Sequence, residues 1–147
     1  MPVSIRKATE ADIDKICQIE EAGTGLWNRQ QFTAELALEF GNFLVLEADR
    51  EVIGFAVSWY VADEIQLNNI GIIPEYRRRG MGTLLLDRLV ADSYVRMPRP
   101  GKIVLEVNNA NNAAIQFYIK NGFVETGRRK NYYRHNDAAL MIKEIRQ

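Results

Sequence analysis

The sequence predicts an α/β chain of the α+β type, one mixed sheet with helices packed against it. Three observations carry this. Apolar, β-rich runs and amphipathic stretches follow the order β-α-α-β-β-β-α-β-α-β-β. The three central runs are joined by short polar breaks, as in an antiparallel meander. Gly- or Pro-containing breaks stop the first helix, the third central run and the long helix.

Val3 to Arg6 is the first strand. Thr9 reads as a helix N-cap with Asp12 in the first turn. Ile13, Ile16, Cys17 and Glu20 keep helical spacing, and the first three form an apolar stripe. Gly23-Thr24-Gly25 ends this helix. Asn28 caps a second one, whose apolar side is Phe32, Leu36 and Phe40. Phe43 to Ala48, Val52 to Val61 and Glu64 to Ile73 form the meander, ended by Pro74. Gly80 to Val95 is an amphipathic helix with Leu85, Leu86, Leu89, Val90 and Tyr94 on its buried side. Lys102 to Val107 is a strand, and Asn111 or Asn112 caps a short helix that stops at Asn121-Gly122. Phe123 to Tyr133 and Asp137 to Ile145 are the last two β-runs.

A chain of 147 residues fits one domain over 1–147 and can bury a sizeable core unaided. Nineteen basic and nineteen acidic side chains cancel, which argues against a generic nucleic-acid or membrane-surface binder. The single cysteine, Cys17, makes no internal disulfide and, with the lone His135, no structural zinc site; no metal is expected. No apolar run approaches the ~20 residues of a membrane span. Met1 to Glu10 is already charged, unlike a secretory leader. A cytoplasmic protein is the expectation.

The segment richest in chemistry is Arg77-Arg78-Arg79-Gly80-Met81-Gly82-Thr83, between a strand and a helix. A helix N-terminus offers unpaired N–H groups and a partial positive charge to an anion. Glycines let a phosphate come close to the backbone, and arginines add charge-assisted contacts. No Gly-Lys-Ser/Thr follows, so this is not a P-loop, and two glycines do not make a dinucleotide fingerprint. The pattern alone leaves two readings: a pyrophosphate cradle, or a solvated basic turn with a glycine helix start.

At this segment the chain resembles the Gcn5-related N-acetyltransferase (GNAT) superfamily, whose acetyl-CoA pyrophosphate loop has the form Arg77-x-x-Gly80-x-Gly82. The likeness covers the whole chain. It is nearest to the bacterial RimI group, the ribosomal-protein-alanine N-acetyltransferases. Asn69-Ile70-Gly71-Ile72, Leu105-Glu106-Val107, Asn111-x-x-Ala114, Phe117-Tyr118, Gly122-Phe123 and Arg128 to Tyr133 carry it, in order and at matching spacings. The resemblance implies a mostly antiparallel sheet with helices on both faces. It implies that Ile70, Gly71 and Ile72 pair with the pantetheine arm of acetyl-CoA. It implies that Arg77 and Arg78 to Thr83 hold the pyrophosphate and that Asn111 bonds the cofactor arm where the sheet opens. Glu106 is then the general base and Tyr118 the general acid. The implied acceptor is a peptide or protein N-terminus, the alanine of a small-subunit ribosomal protein in particular.

The chemistry suits these groups. An α-amine of pKa about 7.7–8.0 needs modest help to lose its proton. A carboxylate among Ile103, Val104, Leu105 and Val107 can give it, with a raised pKa if partly buried. A tyrosine hydroxyl can protonate the leaving thiolate. Plainer readings stand beside each residue. Glu106 taken alone is an exposed strand carboxylate, and Tyr118 beside Phe117 reads as core. Trp27 is a hydrophobic staple or an acceptor-groove wall. Tyr132 and Tyr133 point to opposite faces if extended, one toward the acceptor. Cys17 is a buried small hydrophobe, His135 a solvated turn residue, Trp59 strand packing, and Arg128 to Lys130 a solvated face.

The chain departs from the RimI pattern in three places. Ala22 to Trp27 lacks the aromatic-proline pair, Asn108 stands where arginine is frequent, and Arg134 where proline is frequent. All three bear on the acceptor. A lysine, polyamine or other small-amine acceptor, and a non-catalytic acyl-CoA-binding module, stay open at the level of sequence.

Overall fold

The computed structural model describes residues 2–133 and 136–145. Arg134 and His135, and the turn reading of His135, lie outside them. Strand β1 (Val3–Lys7) leads into a 3-10 turn at Glu10–Asp12 and helix α1 (Ile13–Ala22). Thr9 is the N-cap residue of that turn. Asp12 fixes it by accepting from the Thr9 backbone N–H at 2.8 Å and its hydroxyl at 3.2 Å. Helix α2 (Arg29–Glu35) starts at Asn28, whose side chain accepts from the Gln31 N–H at 2.9 Å while Gln31 bonds back to the Asn28 N–H at 2.8 Å.

Strands β2 (Gly41–Ala48), β3 (Glu51–Val61) and β4 (Glu64–Ile72) form the expected meander. Asp49 and Arg50 both take left-handed φ, 52° and 65°, as a tight hairpin turn between right-twisted strands requires. Helix α3 (Met81–Arg96), β5 (Lys102–Asn108), α4 (Asn112–Lys120), β6 (Val124–Tyr133) and β7 (Asn136–Glu144) complete the order. The described residues form a seven-stranded sheet, β1-β2-β3-β4-β5-β7-β6, antiparallel at every junction but β4–β5.

Alternation along the strands splits the core in two. Leu44, Leu46, Ile65, Leu105 and Met141 meet α3 and α4 on one face. Phe43, Val45, Phe55 and Val57 meet α1 and α2 on the other. Helices therefore lie on both faces. The Tyr60 hydroxyl donates to the Leu89 carbonyl and accepts from Asn42, both at 2.8 Å, so it ties β3 to α3 and β2. Burial pushes this phenol up to about 12.

Three packing expectations need correction. Helix α2 ends at Glu35, so Phe40 is not on its apolar side; it is exposed and meets Trp59 edge-on at 5.4 Å. Tyr94 is 60% exposed: the i+4 partner of Leu89 is the buried Ser93, and Tyr94 falls outside that face. Cys17 is half-buried, at the rim of the α1–α2 cluster, and burial raises its thiol pKa.

Candidate active site

The seam between β4 and β5 is short. Only Glu64–Leu67 pairs with Lys102–Leu105, in parallel. Beyond it β4 stays bonded to β3 as far as Ile72, and β5 stays bonded to β7 as far as Asn108. The inner edges of both strands open into a cleft. The cause is local. Val57 faces Asn69 and Ser58 faces Leu67, so Asn68 is an extra residue, and such a bulge bends its strand.

Of the residues expected in the site, all but Arg79 line this cleft. The Arg79 guanidinium instead sits over the Tyr76 ring at 5.4 Å. Arg77 lines the cleft but is already engaged. It donates to the Ile72 carbonyl at 2.9 Å and to the Ala22 carbonyl at 3.3 Å, clasping the end of β4 to the end of α1.

Helix α3 begins at the cleft without a side-chain cap. Its first intrahelical bond runs from the Leu84 N–H to the Gly80 carbonyl at 3.2 Å, which leaves the N–H groups of the first turn free of helical partners. The two glycines of the turn have different reasons. Gly80 has φ +80°, and a Cβ there would meet nothing within 4 Å. A Cβ on Gly82 would come within 2.7 Å of the Phe117 ring. The sequence assigned both glycines to phosphate approach; Gly82 is required by packing as well. The Thr83 hydroxyl donates to Asn121 Oδ1 at 3.0 Å and joins the start of α3 to the end of α4. Asn111 is the residue that caps α4, accepting from the Ala114 N–H at 3.1 Å.

Glu106 lies on the open part of β5. Its Oε1 is 3.1 Å from Arg129, while its Oε2 is buried with no partner among the described residues. Arg129 therefore has a site contact that the solvated-face reading missed. Tyr118 is buried on α4, against Phe117 and Phe123 at 5.3 and 5.4 Å. Burial first, and the Tyr133 phenol second, hold its hydroxyl pKa well above the ordinary tyrosine value. It is thus both core and cleft wall, and it keeps its proton throughout the neutral range.

Tyr132 and Tyr133 do not point to opposite faces. Their rings touch edge-on at 4.9 Å. Asn131 has φ 53°, and the β6–β7 ladder is broken between Arg129 and Tyr133, so strand alternation fails there. Trp27 packs on Phe32 at 5.2 Å, as a hydrophobic staple does, and also lines the cleft. The sequence reading placed Glu20 in helical register and gave it no role. Glu20 is 2% exposed, and its carboxylate gathers the loop around Trp27. The available signal was a carboxylate in helical register with an apolar stripe.

Comparison with known proteins agrees with this geometry. Residues 39–125 match the acetyltransferase (GNAT) domain model. A ribosomal protein bS18-alanine N-acetyltransferase of Salmonella typhimurium strain LT2 is 35% identical, over 97% of each chain. The N-alpha-acetyltransferase RimI of Mycobacterium tuberculosis is 30% identical over 93% of this chain and 88% of its own. The crystal structure of the Escherichia coli ribosomal-protein-S18-alanine N-acetyltransferase superposes with a TM-score of 0.87 at 28% identity, covering 99% of this chain and 96% of that one. A split mixed sheet, an uncapped helix start at its mouth and relatives matched end to end lead to one conclusion: the chain belongs to the GNAT family of N-acetyltransferases.

Proposed function

We propose that this chain, acting as one domain over 1–147, acetylates the α-amine of a protein N-terminus with acetyl-CoA as donor. The name of the Salmonella relative points to the alanine of a small-subunit ribosomal protein as the acceptor. The observation that carries the mechanism is Glu106 Oε2, a buried carboxylate oxygen without a partner among the described residues, in the wall of a cleft that starts at an uncapped helix.

The residues fit an acyl-CoA. The space beside Gly80 is open, the first turn of α3 offers N–H groups to a pyrophosphate, and Ile70 to Ile72 present an inner strand edge to an amide-bearing arm. Arg78, Met81, Gly82 and Thr83 complete the cradle, with Asn111 on the far wall. Once bound, the thioester supplies the acetyl group. Glu106 accepts the proton that the acceptor ammonium gives up, which frees the nitrogen lone pair. Backbone N–H groups of the β4 edge stabilise charge on the carbonyl oxygen. As the amide C–N bond forms and the C–S bond breaks, Tyr118 gives its hydroxyl proton to the departing sulfur, and the second proton that the nitrogen sheds on becoming an amide restores the Tyr118 hydroxyl. Trp27, Tyr132 and Tyr133 are the walls against which the acceptor lies.

The test pairs peptides with a free N-terminal alanine against N-terminally blocked peptides carrying one internal lysine. Both are incubated with acetyl-CoA and read by mass spectrometry. Acetylation confined to free N-termini is expected. Product only on blocked lysine peptides would reassign the acceptor. No product on either set would move the chain to small amines or to acyl-CoA binding without transfer.

A further inference from the structure

The Glu20 carboxylate sits between two parts of the proposed site. Oε2 accepts from the Thr24 hydroxyl at 2.8 Å and from the Leu26 and Trp27 backbone N–H groups, each at 2.9 Å. Oε1 accepts from Asn69 Nδ2 at 3.0 Å. The Glu20 carbonyl also accepts from the Gly23 and Gly25 N–H groups at 3.0 and 2.9 Å. One buried residue thus organises the whole turn between α1 and α2 and fastens it to β4. Asn69 is the residue after the Asn68 bulge and directly before Ile70. Glu20, Trp27 and Asn69 all line the cleft.

A buried carboxylate is costly unless its lone pairs are met. A helix-capping motif serves its own helix; here three donors come from the loop that carries Trp27 and the fourth from the opposite strand. We infer that Glu20 is a positioning residue, coupling the Trp27 acceptor loop to the donor-binding strand through Asn69. This inference rests on the acceptor and donor roles proposed above. It assigns Glu20 no contact with either substrate.

The chemistry of the pair supplies a test. Glu20→Ala removes the acceptor for all four donors. Glu20→Gln keeps one oxygen for the loop donors, and its NH2 donates to Asn69 Oδ1 once that amide turns over, so it restores the bonds without the charge. Each unmade buried bond is worth roughly ten-fold in an equilibrium. Glu20→Ala is therefore expected to raise the KM for an N-terminal alanine peptide roughly ten-fold or more, with the acetyl-CoA Kd unchanged. Glu20→Gln is expected to stay near wild type. A general loss of folding would move both substrates together. Should Glu20→Ala fail to fold, Asn69→Ala removes only the link to β4 and is read by the same split.

An unchanged peptide KM in Glu20→Ala, an equal loss for both substrates, or a Glu20→Gln protein as impaired as Glu20→Ala would overturn the inference. A wild-type protein inactive on every free N-terminus would defeat the proposed acceptor instead. Amide exchange at Leu26 and Trp27, followed by NMR, then decides. Faster exchange in Glu20→Ala that is absent from Glu20→Gln upholds the coupling, and equal exchange in all three proteins ends it.

Discussion

Glu106 carries its two oxygens in unlike surroundings, one beside Arg129 and one buried without a partner among the described residues. Glu106→Gln keeps the shape and removes the proton acceptor. It is expected to lower kcat roughly a hundred-fold or more, with acetyl-CoA affinity by calorimetry unchanged; wild-type turnover would take the base role from Glu106. Tyr118→Phe removes a hydroxyl that no described residue bonds, so thermal stability is expected to hold while kcat falls by roughly ten- to a hundred-fold. Burial keeps that phenol protonated well past neutrality, so its ionisation adds no limb to the pH–rate profile below the ordinary tyrosine range. A fully active Tyr118→Phe would return the residue to the core. The resemblance singled out both residues; spacing alone left Glu106 an exposed strand carboxylate. Glu20 was not legible because its role depends on where folding brings its donors, and Asn69 is 49 positions away.

At the scale of elements, the start of α3 shows how a short motif combines separate demands. Gly80 is needed for a left-handed turn, and Gly82 for the approach of Phe117. The sequence contains the motif but not its neighbour, since Phe117 arrives from α4. Gly82→Ala should therefore strain α3 against α4. In a Phe117→Leu background the same substitution should cost less, with a coupling of about 0.5–3 kcal/mol in a double-mutant cycle followed by urea unfolding. Strictly additive effects would show that the ring gives way freely. Phe32 provides a second case. Fully buried between Trp27, Phe43 and Phe55, it holds α2 and the Trp27 loop on the sheet. Phe32→Ala should cost about 3–5 kcal/mol, read by the same unfolding curves; a loss under about 1 kcal/mol would mean the site collapses to fill the void. The Tyr132-Tyr133 expectation failed for a related reason. Alternation assumes an unbroken ladder, and the positive φ at Asn131 carries no glycine to announce it.

Across the whole molecule, the order of elements was legible because periodicity and Gly/Pro breaks are local signals. The opening of the sheet came through the resemblance alone, because the Asn68 bulge depends on pairing with β3 and has no signature of its own. The strands before and after the cleft share just four residue pairs, so the position of α1 relative to β4 matters to the site. At its far end α1 is moored by Asp12, which receives two 2.8 Å bonds from Arg6 of β1, while Arg6 also pairs with Glu47 of β2. The Arg6 bonds first, and the Thr9 N–H after them, hold the Asp12 carboxyl below its ordinary pKa against the opposing cost of burial. A depressed folded pKa stabilises fully above the unfolded value of about 3.9 and loses that contribution as pH falls through the folded value. Arg6 is 41% exposed, so solvent screening reduces the size of the effect without changing its sign. Wild type should therefore exceed Asp12→Asn in Tm at neutral pH, and the gap should narrow as pH drops below about 4. Calorimetric scans of both proteins from neutral to strongly acid pH measure it, and a gap that stays constant down that range would remove Asp12 from the acid response. Because Glu20 lies in the last turn of α1, the same titration tests whether the mooring reaches the acceptor loop. With Trp59 replaced by Phe, Trp27 emission should begin to shift in the pH range where the Tm gap closes, before global unfolding.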